Sequence, residues 1–164
     1  MTPPETRDRV HGAEPPARYD AWMLEALVEA RRARDAGEVP IGAVVVLGGA
    51  TVGRGYNQPI SSGDPTAHAE MVAIRAAAHA VGNYRLTGAI LVVTIEPCLM
   101  CVGALVHARI GRLVYGAAEL RTGAVVSTVR GGELPGHNHR FEVEGGIREE
   151  ECRALMQEFF RKRR

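Results

Sequence analysis

His68-Ala69-Glu70 and, thirty residues beyond His68, Pro97-Cys98-Leu99-Met100-Cys101 assemble an imidazole, two thiols and a carboxylate. Neutral imidazole and thiolate suit Zn2+ at tetrahedral geometry, and two thiolates cancel the ion's formal charge. A structural zinc site is closed by four protein ligands, whereas a catalytic one uses three and leaves the fourth position to water. His68, Cys98 and Cys101 supply three ligands, and Glu70 is left over. A charge-neutralised centre acidifies its water only modestly, so an adjacent carboxylate is needed to take the proton at neutral pH. The residues therefore predict one Zn2+ per chain, with Glu70 as the catalytic base of a metal-assisted hydrolysis.

Each fragment alone has another reading. Cys-x-x-Cys also serves as a redox pair, and His-x-Glu is common on surfaces. Their joint geometry depends on the elements that carry them. Asp64-Pro65 reads as an N-cap followed by proline at the first helical position, which predicts a helix over 65–80 with His68 and Glu70 in its opening turns. Pro97 precedes a second helix whose first turn sets Cys98 and Cys101 on one face, near unpaired N–H groups that lower thiol pKa. Residues two apart on a helix point roughly 200° from each other, so His68 and Glu70 converge only on a metal lying off the helix end.

Around these helices the pattern predicts a helix over 19–36, with Trp22, Ala26, Leu27 and Ala30 at helical spacing and Gly37 past its end. Residues 41–47 and 50–56 are β-rich and joined through Gly48-Gly49 as a hairpin. Residues 89–95 form an apolar run of the kind buried on both sheet faces, and 112–115 read as the next strand. An amphipathic helix over 150–164 closes the chain. Strand–helix–strand alternation beside a hairpin implies a mixed sheet with helices on both faces. Ligands in such sheets gather where helix N-termini meet the carboxyl ends of strands.

At 164 residues the chain is long enough to bury a substantial core as a single domain over 19–164; residues 1–18, with four prolines, read as a mobile extension. Of three cysteines, two are claimed by the metal, and Cys152 falls in the last helix as a buried thiol, which points to a reducing compartment. No apolar stretch is long enough to span a bilayer and no secretory hydrophobic region opens the chain, so a cytoplasmic location is expected. Net charge is only +1, so contact with nucleic acid would rest on local clusters.

His-x-Glu followed by Pro-Cys-x-x-Cys is the signature of the zinc nucleobase deaminases. From about residue 19 onward the chain resembles the bacterial tRNA adenosine deaminases (the TadA family). The resemblance runs through Glu38-Val39-Pro40-Ile41-Gly42-Ala43-Val44, Asn57-Gln58-Pro59, Asp64-Pro65-Thr66-Ala67-His68-Ala69-Glu70, Asn83-Tyr84-Arg85-Leu86 and Thr94-Ile95-Glu96-Pro97-Cys98. It continues in Arg121-Thr122-Gly123-Ala124, Asn138-His139-Arg140 and Phe159-Phe160-Arg161, segments more particular to the tRNA enzymes. It implies an α/β fold of the cytidine-deaminase type: three α/β/α layers around a mixed five-stranded sheet. The implied reaction is deamination of the wobble adenosine (position 34) in a tRNA anticodon loop to inosine by a cytoplasmic homodimer. Glu70 would pass a proton from water to N1 of adenine, hydroxide would attack C6, and Glu70 would then return a proton to the exocyclic nitrogen, so that the tetrahedral intermediate collapses with loss of ammonia.

The same resemblance implies that Asn57 hydrogen-bonds the base, that Ile41 walls its pocket, and that Arg85, Glu119, Arg121, Asn138, His139, Arg140 and Phe159 contact nucleotides around it. Read without it, Asn57 is a turn residue, Ile41 and Phe159 are core, and the basic residues 161–164 complement a helix dipole. The chain departs from the family at Glu119, where Asp is usual, at Val125-Val126, where smaller residues stand, and over 130–136. Two other functions share the metal motif: deamination of a free base or nucleoside such as guanine or cytosine, and an RNA-binding module with purely structural zinc.

Overall fold

The computed structural model of the protein describes residues 16–164. The extension expected over 1–18 lies outside the described residues except at its end, where Pro16 opens α1 (Pro16–Asp35). A proline suits that first turn, having no N–H to leave unpaired there. In α1, Tyr19, Trp22, Met23, Ala26, Leu27, Ala30 and Ala33 are buried at the expected helical interval.

Strands β1 (Gly42–Leu47) and β2 (Ala50–Tyr56) form the expected hairpin through Gly48-Gly49, with a register shift between Val45 and Val46. A short helix α2 (Pro59–Ser62) precedes α3 (Ala69–Val81). β3 (Ile90–Ile95) leads to α4 (Leu99–His107), then β4 (Arg112–Ala117), β5 (Glu142–Glu144) and α5 (Glu149–Arg161). The sheet order is β2-β1-β3-β4-β5; β1 runs antiparallel to both neighbours, and β3, β4 and β5 are mutually parallel. This is the mixed five-stranded, three-layer arrangement.

Alternation along β1 divides the core. Val44 and Val46 face α1 and α5, where they pack with Met23, Leu27, Val92, Val114 and Leu155; Ala43 and Val45 face α3 and α4, with Ala73, Leu91, Val102 and Leu105. Since β1 opposes both β2 and β3, those two strands point the same way, and α3 and α4, which follow them, begin at one end of the sheet. The site is built there. Close approach of α3 to β2 depends on Gly55, where a Cβ would lie 2.5 Å from the Ala69 carbonyl oxygen and from the Ala73 nitrogen.

Two expectations change. The helix expected from Pro65 begins at Ala69, because the Asp64 carboxylate accepts hydrogen bonds from the Thr66 N–H and hydroxyl, and Ala67 N–H donates to the Asp64 carbonyl. These bonds close a turn in which Asp64 caps nothing. β5 escaped the pattern altogether: it has three residues, two of them glutamates, and no apolar alternation. Among the described residues, no helix is long and apolar enough to cross a membrane.

Candidate metal and deamination site

Displacement of the helix start removes the 200° difficulty. His68 is the N-cap of α3 with extended backbone, φ −71° and ψ 154°, while Glu70 sits inside the first turn. Cys98 is likewise the N-cap of α4, φ −76° and ψ 172°, and Cys101 lies one turn in. His68 makes no side-chain cap bond to α3, and the Cys98 sulfur engages Cys101 one turn into its own helix. Both side chains project beyond the helix ends, and there they meet.

His68 Nδ1 lies 3.6 Å from Cys98 Sγ and 3.7 Å from Cys101 Sγ, and the three ligand atoms all fall within 4.8 Å of one another. With Zn–S about 2.3 Å and Zn–N about 2.0 Å, a tetrahedral ion holds nitrogen and sulfur about 3.5 Å apart, so the set fits a zinc ion. Hydrogen bonding and burial shift the ionisation of these groups in different directions. A hydrogen bond from Cys101 and another with His68 bring the Cys98 thiol down to about 4; Cys101, donating to Cys98 and buried, is raised. The contact with Cys98 raises His68. Burial, reinforced by the charge on Cys98, pushes the Glu70 carboxyl up to about 7. That carboxyl is only 4% exposed, beside the donor set.

Asn57 is buried where β2 ends. Its Oδ1 accepts from the Ala69 N–H at 2.8 Å, so this side chain satisfies the first N–H of α3 in place of the cap residue. Ile41 is half-buried at the start of β1 and touches both core clusters.

The remaining expected contacts are scattered. Arg85 is exposed and lies over the Tyr84 ring at 5.5 Å. Arg121 is exposed, and its N–H donates to the Glu119 carboxylate. Side chains of the 138–140 segment are tied to the fold: Asn138 accepts from Arg109 at 2.7 Å, His139 Nε2 meets the Ile110 carbonyl at 2.7 Å, and Arg140 donates to the Gly132 carbonyl at 2.7 Å. Phe159 does not present a free stacking face. It is 8% exposed, with the Arg163 guanidinium 4.2 Å from its centroid, whereas its neighbour Phe160 is 48% exposed. Phe160, Met156, Gln157, Arg161 and Arg164 of the chain end and Glu119 line a cavity of about 440 Å3.

Three buried carboxylates, Glu29, Glu38 and Glu96, were given no role by the sequence. Glu38 accepts from the Ile60 and Ser61 N–H groups, fixing α2, and Glu96 accepts from a whole loop. The signal for Glu96 was a lone acid between an apolar strand and Pro97.

Residues 16–117 match the cytidine and deoxycytidylate deaminase zinc-binding region. The chain belongs to the cytidine and deoxycytidylate deaminase family. Within that family it falls with the tRNA-specific adenosine deaminases. The enzyme of that name from Haemophilus influenzae is 44% identical over 148 residues, 89% of this chain and 86% of its own. The one from Agrobacterium fabrum is 48% identical over 143 residues, 87% and 94% of the two chains. A structure solved in a study of A-to-I editing by tRNA:A34 deaminases at the wobble position superimposes with a TM-score of 0.81 at 47% identity, covering 82% of this chain and 98% of that one. Guanine deaminase from Bacillus subtilis superimposes less fully, with a TM-score of 0.58 at 40% identity over 60% of this chain and 64% of that one.

Proposed function

We propose that this chain deaminates adenosine to inosine at the wobble position of tRNA, using one zinc ion held by His68, Cys98 and Cys101. Convergence of those three donors with the buried Glu70 at two helix starts carries the reading. A zinc ion held by these residues would acidify a water and so supply the hydrolytic nucleophile. Glu70 takes the water's proton and delivers it to N1 of the adenine as the hydroxide oxygen bonds to C6; it then moves the proton of the new C6 hydroxyl to the exocyclic nitrogen, and the C6–N bond breaks to release ammonia and leave the C6 carbonyl of inosine. Asn57, with Oδ1 engaged by Ala69, keeps its amide N–H groups for an acceptor on the base, and Ile41 walls the base. Arg85, Glu119, Arg121, Asn138 and Arg140 are assigned to the RNA around the target, His139 to holding its segment. The stacking role moves from Phe159 to the exposed Phe160.

The same proposal includes a homodimer that works in the cytoplasm and shares the anticodon loop across its interface. Exposed Leu99 and Met100, at the start of the metal-binding helix α4, support such an interface. An active monomer in ultracentrifugation would remove it.

An anticodon stem-loop with adenosine at position 34 tests the function directly. Inosine formation is expected, with Glu70→Gln keeping its zinc and losing about 10²-fold or more in turnover. Turnover of free guanine or cytidine, with none of the stem-loop, would overturn it. Unchanged biological function in Glu70→Gln would reassign the zinc to structure.

A further inference from the structure

Glu96 is buried, 3% exposed, in a position where an apolar residue would continue the run of β3. Its backbone N–H donates to the Ala117 carbonyl, extending the β3–β4 pairing up to Pro97 and Cys98. The carboxylate points into the segment after β4 and is saturated by it. Oε1 accepts from the N–H groups of Val125, Val126 and Ser127 at 3.1, 2.8 and 3.0 Å. Oε2 accepts from the Glu119 N–H at 3.1 Å and from the Ser127 hydroxyl. Four backbone N–H groups and one hydroxyl of a single loop thus close around one side chain, a concave anion site built by the chain for its own carboxylate.

The loop's shape is matched to this. Gly123 passes so close that a Cβ there would stand 2.5 Å from the Glu96 carboxyl carbon and from Oε2. Ala124 N–H donates to the Pro97 carbonyl at 2.8 Å, so the same loop is also bonded to the residue preceding Cys98. Residues 119–127 contain no helix or strand that could hold their conformation.

We infer that Glu96 is a positioning residue for substrate: it registers the 119–127 loop against the metal centre and so sets where Glu119 and Arg121 meet the RNA beside the target base. This rests on the RNA-deaminase reading above. Hydrogen bonds to a charged acceptor are worth more than neutral ones, and a buried N–H left facing another donor bears the full desolvation cost. Replacing the acid by its amide is therefore a sharp probe. In Glu96→Gln, an amide oxygen in the Oε1 position preserves the Val125–Ser127 turn, while the NH2 group opposes the Glu119 N–H.

The experiment compares wild type, Glu96→Gln and Ser127→Ala, which removes only the hydroxyl contact. Zinc content, stem-loop deamination kinetics and hydrogen exchange at the amides of Glu119 and 125–127 are measured. For Glu96→Gln the expected result is wild-type zinc, a KM raised about tenfold or more with kcat within a few-fold, and faster exchange at Glu119; Ser127→Ala shifts KM in the same direction by less. Loss of zinc, or a fall in kcat at unchanged KM, would make Glu96 part of the metal scaffold and overturn the inference. So would unchanged KM and exchange. A wild-type protein inactive on the stem-loop would refute the RNA reading instead, and exchange at Glu119 would still decide whether Glu96 holds the loop.

Discussion

His68 and Cys98 stand at equivalent points of two helices: each is an N-cap with extended backbone, and Nδ1 meets Sγ at 3.6 Å. An N-cap residue ordinarily bonds the first N–H groups of its helix. Here the His68 side chain is withheld from capping, and both side chains meet off the helix ends, which gives neighbouring helices a shared donor set. Asn57 takes over part of the capping at α3.

Asn57→Ala leaves the Ala69 N–H buried without its acceptor and is expected to cost about 1–3 kcal/mol in urea unfolding. Asn57→Asp keeps the acceptor and places a negative charge at a helix N-terminus, so stability and zinc content return toward wild type. Activity does not return, because the amide donor is gone. Equal activity in the Asp variant and the wild type would show that Asn57 serves only as a cap.

Gly55→Ala forces β2 and α3 apart, since the new methyl would meet the Ala69 carbonyl oxygen and Ala73 nitrogen at 2.5 Å. A loss of about 1–3 kcal/mol is expected on thermal or urea unfolding. Because α3 carries His68 and Glu70, zinc affinity measured by competition with a chelator should weaken with it. Undiminished affinity would mean the strand, rather than the helix, yields.

Phe159 and Phe160 are adjacent but should behave oppositely. Phe159→Ala empties a buried position and is expected to destabilise by about 3 kcal/mol. Phe160→Ala should change stability by less than about 0.5 kcal/mol while weakening stem-loop binding in fluorescence anisotropy. Deleting 161–164 should flatten the salt dependence of that binding. The converse pattern would restore Phe159 as the stacking ring.

Glu38 links pH to the α2 segment. Burial would raise its pKa, but hydrogen bonds from Ser61 and Ile60 outweigh it and hold the carboxyl below its ordinary 4.5. A carboxyl depressed in the folded state stabilises above its unfolded pKa, and that stabilisation is lost as pH falls through the lower, folded value. The Tm advantage of wild type over Glu38→Gln should therefore be complete at pH 7 and shrink below pH 4.5. A Tm difference independent of pH would assign it to packing.

Residue identity and spacing alone determined the donor set, the leftover carboxylate, the hairpin and the paired faces of the sheet. These follow from ligand chemistry and hydrophobic period, which are local. Resemblance of dispersed segments to one family supplied the reaction. Tertiary structure decided what depends on directions between distant atoms. It moved the start of α3 to Ala69, since a side-chain turn at Asp64 competed with helix, and thereby let His68 and Glu70 converge. It buried Phe159 and exposed Phe160, because helical phase against the sheet, not composition, chooses which ring is buried. It showed Glu96 inside a loop that lies more than twenty residues away in sequence, a relation without periodicity and visible only once β3 and β4 are paired.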